Sequence, residues 1–269
     1  MPAIDDLCAD LAAEHASLDA LVAGLDDAGW STPTPAAGWD VRDTISHLTF
    51  FDEQATLAID DPPAFEEHKS GLIAAAAAGD EPDVAIGRGA PAVAVLERWR
   101  DSRSALIASA TRLAGESAGA PPRVAWYGPP MSLASFISAR VMETWAHGAD
   151  VRDALGVPLE QSVSERLRHV CHLAYGARAF SFAVHGVQDR GEPVALVVDA
   201  PGGATWTWGP PAGDASNLIA GSALDVALVF TQRRHVSRTG LKVSGAAAEQ
   251  WVSIAQAFAG PPTVTAESR

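Results

Sequence analysis

The sequence predicts an α+β chain: an antiparallel helical bundle over the first two-thirds, then a small α+β domain. Three observations carry this. Apolar residues recur at three- and four-residue steps from Ile4 to about Val184, the signature of helices with one buried face. After His185-Gly186 the pattern changes to short strand-like runs punctuated by Gly and Pro. The chain has 269 residues, 48% hydrophobic and 19% charged, enough to bury a sizeable core and suited to two domains. The expected boundary lies near residues 186–192, giving a bundle over 1–188 and a second domain over 189–269.

The elements follow in order. Ile4, Leu7, Leu11, Leu18, Val22 and Leu25 mark a first helix that stops near Gly29-Trp30, before the loop holding Pro33 and Pro35. Asp40 is a good N-cap for a second helix, with Asp43 in its first turn and Val41, Ile45, Leu48 and Phe51 on its apolar face. That helix ends before Pro62-Pro63. Residues 65–78 are ambiguous, and a third helix fits Pro91 to Leu113. A stiff loop follows, with Ala120-Pro121-Pro122 and Trp126-Tyr127-Gly128-Pro129-Pro130. Ser132 can cap a fourth helix that Gly156 and Pro158 stop near Leu155, and a fifth runs from Ser162 or Ser164 to about Val184. Helices of this length with short connections pack as an antiparallel bundle. In the second domain, residues 193–199 and 205–208 read as a hairpin around Pro201-Gly202-Gly203. Residues 218–229 and 246–258 read as helices, with a short strand at 241–243 between them.

Charge excludes some partners. With 33 acidic and 19 basic residues the net charge is −14, which repels nucleic acid unless a basic patch overrides it. The largest such group is Arg233-Arg234 with His235. No apolar run approaches a membrane span, and no basic, then apolar, leader opens the chain. Two cysteines, Cys8 and Cys171, make no disulfide framework, so a reduced, cytoplasmic protein is expected.

The chemistry concentrates on the fourth helix. Glu143 and His147 are four residues apart, so both side chains leave one helix face and can converge on a divalent cation. Two ligands are too few, and His47, beside the apolar face of another helix, is the natural third. A lone Glu/His pair at this spacing is also common on solvated helices. Asp150, three residues after His147, can orient that ring from behind or be a plain surface acid. Arg233 and Arg234 can clamp a carboxylate or form surface salt bridges. His169 and His172 lack an evident third ligand. Cys8 and Cys171 fall in amphipathic helices and read as packing residues. Gly87-Arg88-Gly89 lacks the pattern of a phosphate loop.

Two segments carry a resemblance. Gly38-Trp39-Asp40-Val41-Arg42-Asp43-Thr44-Ile45-Ser46-His47-Leu48 and Met142-Glu143-Thr144-Trp145-Ala146-His147-Gly148-Ala149-Asp150 resemble the two metal motifs of the DinB-like superfamily. Glutamate at the middle ligand position is similar to the branch that contains mycothiol-dependent maleylpyruvate isomerase. The tail, with residues 227–234 and 243–245, resembles that branch's small, sterol-carrier-like C-terminal domain. The match is best to uncharacterised members with Trp-Tyr/Phe-Gly-Pro-Pro-Met before the fourth helix, here Trp126 to Met131.

The resemblance implies a metal tripod of His47, Glu143 and His147 with an open coordination position, and a functional arginine at Arg233 or Arg234. The ion it implies is Zn2+, with Ni2+, Fe2+ and Mn2+ compatible with the same ligands. It implies a small thiol, mycothiol, activated for isomerisation or S-transfer on a small electrophilic substrate. A non-catalytic metal- or ligand-binding protein, and a hydrolase using metal-bound hydroxide, remain the alternatives. The oligomeric state is not readable from the sequence.

Overall fold

A computed structural model describes residues 3–117, 121–128 and 130–260, so Ala120 and Pro129 of the proline-rich loop lie outside the described residues. The chain divides into two compact units, Met1–Leu159 and Glu160–Arg269. No helix among the described residues is long and apolar enough to cross a membrane.

The first unit is helical: α1 (Ile4–Val22), α2 (Asp27–Trp30), α3 (Val41–Asp60), α4 (Pro62–Ala77), α5 (Pro82–Ala85), α6 (Ala92–Glu116) and α7 (Leu133–Leu155). Two short strands, β1 (Arg123–Val124) and β2 (Met131–Ser132), pair antiparallel ahead of α7. Helix α3 packs along α6 and α1 along α7. Leu7, Leu11, Phe65, Leu106 and Phe136 fill one apolar cluster, and Leu18, Val41, Ile45, Trp99 and Val151 fill another. The caps fall where the sequence places them. Asp40 accepts from the Asp43 amide, and Ser132 accepts from the Ser135 amide, each satisfying a donor of the first helical turn. Gly156, at φ 67°, ends α7 in the left-handed conformation glycine tolerates. The first helix is shorter than expected. It ends at Val22, and Asp26 caps the separate turn α2 by accepting from the Gly29 amide.

The second unit holds α8 (Leu167–Gly176), α9 (Arg178–His185), β3 (Ala195–Asp199), β4 (Thr205–Trp208), β5 (Leu218–Ser222), α10 (Ala223–Phe230), β6 (Lys242–Ser244) and α11 (Ala246–Ser253). The sheet order is β4-β3-β5-β6, with β3 and β5 parallel and the outer pairs antiparallel. Three expectations are corrected here. The long fifth helix is two helices, α8 and α9, broken after Gly176. Those helices pack on α10 and α11, so they belong with the sheet, and the units divide at Leu159, not near 188. Residues 218–222 form a strand, not a helix start: this run pairs on both edges, and helix begins only where Ser222 caps α10 through the Asp225 amide.

A polar group sits inside the first unit. Asp52 is fully buried, and its Oδ1 accepts from Arg140 Nε and Nη2 at 3.1 and 2.8 Å. His15 is 2% exposed, with Nε2 3.7 Å from Asp52 Oδ2, too long for a hydrogen bond. Burial, with the charges of Arg103 and Arg140, lowers the His15 pKa to about 3. The unfolded chain takes up that proton near pH 6.5, so it binds more protons than the folded state between those values. Stability is therefore lost as pH falls from about 6.5 toward 3. The raised pKa of buried Asp52 acts in the opposite sense. Between pH 6.5 and 4.5 the parent should lose on the order of 2 kcal/mol more than His15→Leu. Urea unfolding of both proteins at the two pH values measures this, and equal losses would contradict it.

Candidate metal centre

His47 comes from the second turn of α3, and Glu143 and His147 from successive turns of α7. The fold brings one ligand atom of each residue within 4.8 Å of the others, a spacing at which three donors can share one cation. His147 Nε2 lies 3.6 Å from Glu143 Oε2. The three side chains keep 18%, 24% and 10% exposure in the order His47, Glu143, His147, so the cluster is sheltered yet reachable.

Each imidazole is backed by a carboxylate on its far nitrogen. His147 Nδ1 lies 3.5 Å from Asp150 Oδ2, and Asp150 is almost wholly buried, so it is not a plain surface acid. His47 Nδ1 is hydrogen-bonded to Asp83 Oδ2 at 2.7 Å, which leaves Nε2 as the nitrogen available to a cation. The sequence reading misses Asp83. Burial opposes its ionisation, but the His47 hydrogen bond and charge hold its pKa below the ordinary carboxylate value.

The segment around Asp83 is clamped to α3. Arg88 donates to both oxygens of Asp43 and to Glu81, and Trp39 Nε1 donates to Glu81. Gly87 lies against Ser46, where a Cβ would overlap the Ser46 hydroxyl. Glycine at 87 thus lets α5 lie close beside His47. The Gly87-Arg88-Gly89 segment, which fits no phosphate loop, is a structural clamp.

Electrostatics suit a metal ligand set. Burial lowers the His47 pKa to about 4, against the upward pull of Asp83, so the ring is neutral at pH 7. Burial opposes ionisation of Glu143 too, but His147, Arg140 and His47 outweigh it and hold the pKa at about 2. A neutral imidazole at His47 and an ionised carboxylate at Glu143 are protonation states that suit a divalent ion. An aromatic wall flanks them: Trp39 stacks on His147 and approaches His47, and Phe51 meets His47 edge-on at 4.7 Å. Asp83→Asn should weaken zinc binding about 10- to 100-fold with the fold unchanged, read by competition with a chromophoric chelator. Unchanged affinity would remove Asp83 from the site.

Arg233 and Arg234 lie in the second unit, just past α10. The turn there has the Schellman pattern, with the Gln232 and Arg233 amides donating to the carbonyls of Val229 and Leu228. Gln232 takes the left-handed position at φ 57°, the one non-glycine residue with positive φ among the described residues. Its side chain donates to the Ala255 carbonyl and Gln256, which anchors a conformation glycine usually supplies. Arg233 is 8% exposed, and its Nη1 donates to the Thr231 carbonyl. His172 accepts from Trp208 Nε1. Cys8 and Cys171 are buried free thiols, and burial pushes the Cys171 pKa up to about 12.

A helical bundle carrying two histidines and a glutamate on facing helices, each imidazole backed by an acid, defines a DinB-like candidate metal protein. Residues 11–152 match the family model described as the mycothiol maleylpyruvate isomerase N-terminal domain, and the chain belongs to that family. An uncharacterised protein of Mycobacterium tuberculosis, found in two strains, is 42% identical over 261 residues, covering 94% of this chain and 95% of the relative. The crystal structure of the mycothiol-dependent maleylpyruvate isomerase superposes with a TM-score of 0.55 at 14% identity, covering 91% of this chain and 93% of that one. A histidine-to-alanine mutant of the same enzyme gives 0.58 at 15% identity, with the same coverage. At that identity the likeness shows the shared α+β fold.

Proposed function

We propose that this protein is a divalent-metal enzyme, using Zn2+ held by His47, Glu143 and His147, that activates a small external thiol, mycothiol. The observation that carries this is the trio itself: three ligand atoms within 4.8 Å, on side chains that remain partly exposed. Three protein donors with access from outside suit a catalytic ion better than a closed structural one. When bound, such an ion supplies positive charge that lowers the pKa of a thiol at the open position. Glu143 is the one anionic donor of the three, so the ion and its direct ligands together keep a net positive charge. Asp83 and Asp150 fix the two rings. The thiol must come from outside, because Cys8 and Cys171 are buried and both have raised pKa values.

The reaction class is isomerisation or S-transfer on a small electrophilic, carboxylate-bearing substrate. In isomerisation the sulfur adds to an activated double bond, the new single bond rotates, and elimination regenerates the thiol. Transfer stops after addition or displacement. Within the second unit, Arg233 and Arg234 are proposed to clamp a carboxylate of the substrate or thiol. The partners are then a substrate and a thiol in a reducing cytoplasm, without nucleic acid or membrane.

The test is turnover of maleylpyruvate and related cis-unsaturated keto acids by the zinc-loaded protein, with and without mycothiol. Turnover that needs both metal and thiol is the expected result. Turnover without thiol would overturn the thiol role in favour of hydrolysis. Stoichiometric zinc with no turnover of any of these acids would overturn the enzyme reading in favour of a binding protein.

A further inference from the structure

Arg140 is a charge held out of water without being one of the three ligands. It is 4% exposed and lies on α7 three residues before Glu143 and seven before His147, so all three share one helix face. Its Nε and Nη2 both donate to a single atom, Asp52 Oδ1. One edge of the guanidinium is thereby fixed, and Nη1 makes no hydrogen bond among the described residues. Apolar residues would stabilise a bundle core as well as a buried ion pair does, so stability alone does not account for this pair.

A second donor stands nearby. The Tyr127 hydroxyl is buried with no hydrogen-bond partner among the described residues. Its ring packs edge-on against Phe51, which in turn packs against His47. Burial raises the Tyr127 pKa, so the group stays an O–H donor, and the charge of Arg140 is felt there and at Glu143. A rigid guanidinium edge and a phenol O–H are donors matched to carboxylate oxygens.

We propose that Arg140, held in place by Asp52, binds a carboxylate of the molecule that reaches the His47, Glu143 and His147 cluster, with the Tyr127 hydroxyl as a second donor. The proposal rests on the reading of that cluster as a metal site for a small acidic electrophile. Asp83, Glu143 and Asp150 repel an anion there, and a bound cation offsets them, so carboxylate and metal should favour each other's binding.

The experiment is calorimetric titration of maleate into zinc-loaded and zinc-free protein. It compares the parent with Arg140→Met/Asp52→Leu, which removes the ion pair together and strands no charge. The parent is expected to bind maleate, more tightly with zinc. The double variant should bind at least about tenfold more weakly at unchanged zinc stoichiometry, because a charge-assisted contact is lost. Arg140→Lys should fall between them, and Tyr127→Phe should weaken binding by a few-fold, on the order of one neutral hydrogen bond. Parent-like affinity of the double variant in both forms, or no maleate binding by the parent in either, would overturn the proposal. If the double variant does not fold, parent-like affinity of both Arg140→Lys and Tyr127→Phe overturns it. A parent that takes up no zinc yet binds maleate through Arg140 refutes the metal reading and keeps the carboxylate site.

Discussion

Alanine at any one of His47, Glu143 or His147 is expected to weaken zinc binding by about two to three orders of magnitude, and alanine at all three to abolish it. Structural zinc held by four ligands is worth roughly 10–16 kcal/mol, so each donor contributes about 2.5–4 kcal/mol. At about 1.4 kcal/mol per factor of ten, that gives the stated loss. The side chains are partly exposed and lie outside both apolar clusters of the first unit, so their removal should leave helical content intact. Chelator competition gives the affinities, and circular dichroism checks the fold. Parent-like zinc affinity in the triple variant would place the ion elsewhere.

Asp52→Ala is the largest expected loss of stability. It strands the Arg140 guanidinium in a site that is 4% exposed. Breaking one partner of a buried pair costs about 3–5 kcal/mol, because the remaining charge is neither hydrated nor paired. For a chain of this size the midpoint of thermal unfolding should fall on the order of 10 °C. The paired replacement Arg140→Met/Asp52→Leu leaves no stranded charge and should fall much less. Equal losses in the two proteins would mean that packing around Asp52, and not the ion pair, is what the bundle requires.

The helices that carry the candidate metal cluster were readable because their signals are local. Asp40 and Ser132 announce the starts of α3 and α7, and the spacing of Glu143 and His147 needs only helical geometry. His47 followed from its place beside an apolar face. Asp83 was not readable, since it sits on a four-residue helix 36 positions from His47 and shows no periodicity of its own. The Asp52–Arg140 pair joins residues 88 positions apart, and nothing in either local sequence marks it.

The errors in the second unit have the same origin. Residues 218–222 form a short apolar run without alternation, which a sequence cannot assign to helix or strand. The run is a strand because β3 pairs with one edge and β6 with the other. Helices α8 and α9 carry amphipathic patterns like those of the bundle helices. Only their packing on α10 and α11 assigns them to the second unit.

The most direct test of the metal site is elemental analysis of protein purified without added metal, repeated after zinc is offered and excess removed. About one equivalent per chain, lost in the His47→Ala/Glu143→Ala/His147→Ala variant, is the expected result. No bound metal in the parent, even after zinc is offered, would contradict the site and the thiol chemistry proposed for it.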